Sequence, residues 1–388
     1  MKKHLSLKTK ALLSSPHFRV VAGISLIFFF AFFFFPEFFS SAETYKKGEK
    51  AESAFDNFVD KIFPPDIPKF DPVVYDQKML ALANNPPPKP PTTKIVKDPN
   101  TGVETTITVE APPVVYPWPV KTVYPNVGAL LPYNRIIAYY GNLYSKKMGV
   151  LGEYEEAVML AKLDAEVKKW EAADPTTPVM PALHYIAVVA QASEGKDGMY
   201  RARMPDAEID KVLAIAQKIN AIVFLDIQVG FSTLEAEVPR LEKYLKLPNV
   251  HLGIDAEFSM KTGVKPGKIV GTFDAADINF TAEYLAKVVK ENNLTPKILV
   301  VHRYTQKMIT NYKNIKPLPE VQIVMHMDGW GGAAKKRNTF QQFVYKEPVQ
   351  FAGFKLFYKN DILTPGTTLM TPQDLLKLNP RPIYIQYQ

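Results

Sequence analysis

Asp255-Ala256-Glu257 sets two carboxyl groups two residues apart at the end of an apolar run. In a β-strand that spacing turns both to one face, with backbones about 6.6 Å apart. Two acids so placed shift each other's protonation, and a pair held in opposite states is what glycoside hydrolysis needs. The pattern recurs along the chain. Asp226 and Gln228 close Ile222–Gln228 on the face of Ile222 and Phe224, and His326 and Asp328 share a face with Val324 in Gln322–Trp330. His184, His302, Lys355 and Gln386 stand at or near the ends of four further apolar runs. A buried carboxylate is costly unless paired or functional, and three strands carrying acids at equivalent depth exceed a packing need.

These residues divide by role. Glu257 is the expected general acid, with Asp255 or Asp226 as its partner, and Asp328 completes the acid set. Sugar rings stack on aromatic faces, so Trp330 and Tyr140 are the expected platforms, the first in a loop flanked by Gly329, Gly331 and Gly332. His184, Gln228, His302, His326, Lys355 and Gln386 would take the hydroxyl groups of a glycan. His184, His302 and His326 with Asp226, Asp255 and Asp328 could also ligate zinc or a similar ion, which makes a metal-dependent hydrolase an alternative. A hydrogen bond to a neighbouring carboxylate accounts for each histidine singly, and neither a metal nor another cofactor is assigned.

Such side chains act together only if one scaffold gathers the ends of all the runs. The runs are Arg135–Gly141, Pro181–Ile186, Ile222–Gln228, His251–Phe258, Lys297–Tyr304, Gln322–Trp330, Phe351–Tyr358 and Pro382–Gln388. Between them lie segments of helical character: Glu153–Trp170, Asp206–Ala221, Thr233–Leu245, Ala275–Asn292, Gln306–Ile315, Arg337–Val344 and Pro372–Leu378. Eight β units separated by seven α units predict an α/β fold, a (β/α)8 TIM barrel over 134–388 that lacks a clear eighth helix. Its strands converge on one C-terminal face, where barrel enzymes work. The outer side of the last strand then needs a cover, for which the proline-rich segment before the barrel is the expected source.

The ending Met325-His326-Met327-Asp328 together with Asp255-Ala256-Glu257 resembles the chitinase-type, substrate-assisted glycoside hydrolases. That resemblance implies Glu257 as the acid and Asp255 as the group that orients a substrate acetamide. The sequence departs from the family pattern at His251, Gly253 and Met327. Over about 134–388, the strings Ala138-Tyr139-Tyr140-Gly141, Gly149-Val150-Leu151-Gly152, Tyr200-Arg201-Ala202-Arg203, Leu225-Asp226-Ile227-Gln228, Asp255-Ala256-Glu257-Phe258 and Val300-Val301-His302 resemble a group of bacterial secreted or lipoprotein-type barrel proteins. This second resemblance implies the barrel and export.

Ahead of the barrel, Val20–Phe35 is an uninterrupted apolar run that Phe38 and Phe39 extend, preceded by Lys2, Lys3, Lys8, Lys10 and Arg19. Residues 1–42 therefore read as a basic cytoplasmic tail with a transmembrane anchor over 20–39, or as a signal peptide cut after Ala42. The lengths of the apolar and basic regions favour the anchor. Either way the barrel is expected outside the cytoplasm, on a single-pass membrane protein or secreted. Residues 43–133 hold sixteen of the 33 prolines, all between Pro64 and Pro132, and read as a semi-rigid stalk. Within it Thr93–Glu110 predicts a hairpin around Asp98–Gly102, and residues 111–133 are expected to pack on the barrel.

Composition limits the partners. Eight Lys/Arg against three Glu in residues 1–50 account for +5 of the net charge of +8, so the remainder carries no basic signature and no nucleic-acid partner is expected. The absence of cysteine excludes disulfides, thiolate catalysis and a lipid anchor on Cys. The expected function is glycoside hydrolysis on a cell-envelope or extracellular polysaccharide. The alternative is a cell-surface barrel that binds a glycan or peptide without turnover. A tight, partly buried acid cluster favours the first and acids scattered on a rim favour the second.

Overall fold

The computed structural model describes residues 69–388. The apolar segment 20–39 and the cleavage point after Ala42 lie outside the described residues. Among the described residues no helix is long and apolar enough to cross a membrane.

Helix α1 (Pro72–Ala83) comes first, capped by Asp71, whose carboxylate accepts from the Val73 and Val74 amides at 2.9 and 3.3 Å. A hairpin follows, β1 (Thr92–Lys97) against β2 (Glu104–Val109), in the register Thr92↔Val109 to Lys97↔Glu104. Its turn is held by Asp98, whose side chain accepts from the amides of Asn100 and Thr101.

The barrel strands are β3 (Arg135–Gly141), β4 (Val179–Ala190), β6 (Ile222–Ile227), β7 (Val250–Asp255), β9 (Lys297–Arg303), β11 (Val321–Met327), β12 (Phe351–Leu356) and β13 (Tyr384–Tyr387). All eight pair in parallel, and β13 and β4 both flank β3, which closes the ring. A short β5 (Arg201–Arg203) runs antiparallel to the end of β4, and β8 (Phe273–Asp274) pairs with β10 (Ile309–Thr310) outside the barrel. The helices between strands include α2 (Val150–Glu153), α3 (Glu156–Ala173), α4 (Asp206–Lys218), α5 (Leu234–Glu237), α6 (Glu242–Leu245), α7 (Ala275–Glu291), α8 (Ala333–Phe340) and α9 (Pro372–Leu376). The helix expected over Gln306–Ile315 is absent. Two 3-10 turns flank β10 there, because Asp274 draws Thr310 and Asn311 to its carboxylate and Asn311 adopts a left-handed backbone.

Alternation sorts the core into two layers. Val223, Leu225, Leu252, Ile254 and Leu299 face the helices, whereas Ile136, Ile222, Phe224, Ile298, Val324 and Tyr384 fill the barrel. Tyr75 and Met79 of α1 join the inner layer together with Leu131, at the first inward residues of the strands. Helix α1 therefore plugs the N-terminal mouth, and each of the two large side chains it buries there, Tyr75 and Met79, contributes about 1.5–3 kcal/mol. The plug is stitched in place by Arg381, whose amide donates to Leu82 O at 2.7 Å, and by Gln322, whose side-chain amide bonds both the N–H and the C=O of Leu131. Trp118 donates its indole N–H to Tyr345 O at 3.0 Å.

The cover over the eighth strand differs from expectation. Trp170 of α3 donates to the Tyr387 hydroxyl at 2.9 Å, and Tyr358 stacks on the Tyr387 ring. The outward side of β13 is thus sealed by the first long helix, whereas α1 of the pre-barrel segment closes the bottom. The hairpin β1–β2 is exposed along its whole length. Replacing residues 92–109 by a short Gly-Ser link is expected to leave the unfolding free energy within about 0.5 kcal/mol of the parent. Loss of the cooperative thermal transition would show instead that the hairpin supports the barrel.

Candidate functional site

The C-terminal ends of the strands meet in one cluster. Register places Tyr140 opposite His184, Asp255 opposite His302, His302 opposite His326, and Lys355 opposite Gln386. Period-two alternation aims all of them into the barrel. The loop after β3 is drawn tightly over this end. Gly149 lies at φ 141°, and a Cβ there would come within 2.2 Å of Tyr140 O, so only glycine fits.

The side chains form a connected network. Tyr140 donates its hydroxyl to Asp226 Oδ2 at 2.9 Å. Asp226 Oδ1 lies 3.4 Å from His184 Nε2 and 3.5 Å from His302 Nε2. His302 Nδ1 pairs with Asp328 Oδ2 at 2.9 Å, and Asp328 Oδ1 takes the Lys355 ammonium at 3.0 Å. That ammonium also sits 3.8 Å from the Tyr140 ring centroid, a cation–π contact. His184 Nδ1 bonds the Tyr384 hydroxyl at 2.6 Å, and Gln386 donates to the same hydroxyl at 2.9 Å. Gln228 bridges the Ala190 amide, which it accepts, and Asp255 Oδ2, to which it donates.

Burial and charge drive the acids apart. Burial pushes the Asp255 carboxyl well above the ordinary carboxylate range, and Glu257, Asp328 and Asp226 add to the rise against His302. Glu257 is also raised, by burial and then by the charge of Asp328, against a hydrogen bond from Tyr304 and the charges of Lys355 and His302. Burial opposes ionisation of Asp328 as well, but Lys355 and His302 outweigh it and hold that carboxyl far down. Asp226 is likewise held well below its ordinary value, with His302 and His184 overcoming burial. For His302 burial favours the neutral ring, yet Asp226 and Asp328 lift it to about 10, whereas burial takes His184 down to about 4.

The placement of the expected residues is uneven. Asp226, Asp255, Asp328, His184, His302, His326, Lys355, Gln228 and Gln386 come together in the barrel mouth, all buried. Glu257 leaves the strand. Beyond Asp255 the chain turns into a 3-10 helix, Ala256–Phe258, capped by the Asp255 carboxylate accepting from the Glu257 amide at 2.9 Å. Glu257 therefore reaches the cluster from a loop, half-buried, and not by strand alternation. Tyr140 is corrected as a sugar platform: it is 3% exposed, with its hydroxyl on Asp226 and its ring under Lys355. Trp330 is 50% exposed on the rim, its loop pinned by the buried Lys336–Asp361 pair. Tyr139, Tyr185 and Tyr387 face the helices. Tyr384 and Tyr304 were not singled out from sequence. Tyr384 shares a face with Gln386, so alternation alone could have found it; Tyr304 carries no such sign.

Among the described residues one set of ligand-type atoms converges, from His184, Asp226 and His302. His326 stands apart, its Nδ1 packed over Gly353. No family model matches the chain, and no curated protein matches it. What fold and site define together is a closed (β/α)8 barrel with a buried acid–histidine–lysine centre at its C-terminal face.

Proposed function

We propose that this barrel hydrolyses glycosidic bonds in a cell-envelope or extracellular polysaccharide, from the outer side of the membrane that residues 20–39 would anchor it to, or as a secreted protein if cut after Ala42. The observation that carries this reading is the state of the acids at one barrel face. Glu257 is half-buried and its carboxyl is raised by burial and by the charge of Asp328, while Asp328 is ion-paired with Lys355 and held low. Two carboxyl groups whose surroundings separate their protonation mark an acid and its anionic partner. Glu257 is the accessible member and so the proton donor to the leaving oxygen. Asp328 replaces Asp255 or Asp226 as the favoured partner, since Asp226 lies beneath Tyr140 and Asp255 caps the turn that carries Glu257. Trp330 offers a ring at the rim for a sugar.

The test is reducing-end release from a panel of envelope and extracellular glycans by the full chain. Release from at least one glycan is expected. Binding without release from any of them would overturn the hydrolase reading in favour of the glycan-binding barrel.

A further inference from the structure

We propose that His184 Nε2, Asp226 Oδ1 and His302 Nε2 form a binding site for one divalent transition-metal ion of the zinc class, at the floor of the barrel mouth. The three residues are fully buried, and none of the three atoms has a hydrogen-bond partner. Buried polar atoms are rarely left so, and here three converge. At 3.4 and 3.5 Å, the separations of Asp226 Oδ1 from the two imidazole nitrogens are too long for good hydrogen bonds. They match the edge of about 3.3–3.5 Å between tetrahedral ligands that each stand about 2.0–2.2 Å from zinc.

The other ring nitrogens carry the second argument. His302 Nδ1 is engaged by the Asp328 carboxylate and His184 Nδ1 by the Tyr384 hydroxyl. A metal-binding histidine is usually oriented in this way, with its far nitrogen on a carboxylate or other polar group; its near nitrogen ligates as the neutral ring, so the ion would displace the proton that Asp226 and Asp328 favour on His302. Gly253 completes the site. A Cβ at that position would stand 2.4 Å from Asp226 Oδ1 and 2.5 Å from His184 Nε2, so any larger residue would crowd both donors. Two imidazoles and a carboxylate suit zinc, cobalt, iron or nickel better than calcium or magnesium. With no cysteine in the chain, thiolate takes no part. Such an ion would fix Asp226, to which Tyr140 donates, and the His302–Asp328–Lys355 chain. Metal binding at these three atoms needs no glycan, so it can be measured apart from the proposed hydrolysis.

The test is titration of chelator-treated full chain with Zn(II) or Co(II). About one equivalent should bind, Zn(II) should raise the unfolding temperature by about 5 °C or more, and Co(II) should give the visible bands of a four- or five-coordinate nitrogen–oxygen site. Asp226→Asn and His302→Gln, checked for fold by circular dichroism, should each weaken binding about 100-fold or more, while His326→Gln should not. Wild-type chain that binds no stoichiometric ion, or folded His302→Gln that binds as well as wild type, overturns the site. Should both variants fail to fold, the wild-type Co(II) spectrum decides: weak six-coordinate, water-like bands also overturn it.

Discussion

Glu257→Gln is expected to lower glycan hydrolysis about 10²–10⁴-fold while leaving the fold and glycan binding intact. The amide keeps the size and hydrogen-bonding reach of the acid but has no proton to donate. The pH profile should report the same residue. Activity that requires protonated Glu257 falls as pH rises through its pKa, which burial and Asp328 raise above the ordinary glutamate value. The groups facing it are Asp328, Asp255, Tyr304, Lys355 and His302. Asp328→Asn removes the largest neighbouring charge that raises Glu257, so the alkaline limb should move to lower pH, with a loss of rate as the anionic partner disappears. Lys355→Met should move the limb the other way, because the ammonium favours ionised Glu257. A Glu257→Gln protein as active as wild type would end the assignment, and an alkaline limb unmoved by Asp328→Asn would remove Asp328 as its partner.

Trp170→Ala is expected to cost about 3–5 kcal/mol of stability, the largest structural effect of any single side chain considered. Trp170 is fully buried on the outer side of the seam between the first and last strands. Its indole N–H bonds Tyr387, and the Arg135 guanidinium lies 5.1 Å over its ring. Trp170→Phe keeps most of the bulk but leaves the buried Tyr387 hydroxyl short of a donor, for a smaller loss of about 1–3 kcal/mol. Denaturant midpoints of the two variants against the parent measure both. An alanine variant within about 0.5 kcal/mol of wild type would mean that other groups close the barrel.

What the sequence determined by itself is the alternation of strand and helix and the inward side of each strand. Both are local. A period of two decides which residues of Ile222–Ile227 share a face, and the apolar partners Val223 and Leu225 leave Asp226 only the interior. The eight strands and the gathering of Asp226, Asp255, His302, His326, Asp328 and Lys355 at one end could therefore be read from residue order. The tertiary structure decided what each side chain meets. Glu257 looked like a strand residue because Asp255-Ala256-Glu257 keeps the period, but the Asp255 cap turns the chain before it, a choice set by hydrogen bonding at the strand end. Tyr140 looked like an exposed platform because nothing in its neighbours along the chain announces Asp226 or Lys355, which reach it from β6 and β12. Helix α1 looked like part of a stalk, since the pattern of Pro72–Ala83 does not say that Tyr75 and Met79 have a barrel mouth to fill. The facing imidazoles of His184 and His302, with one carboxylate oxygen between them, exist only once the ring closes. Their separation depends on the register of strands distant in sequence, and register between distant strands is a property of the closed sheet rather than of any one segment.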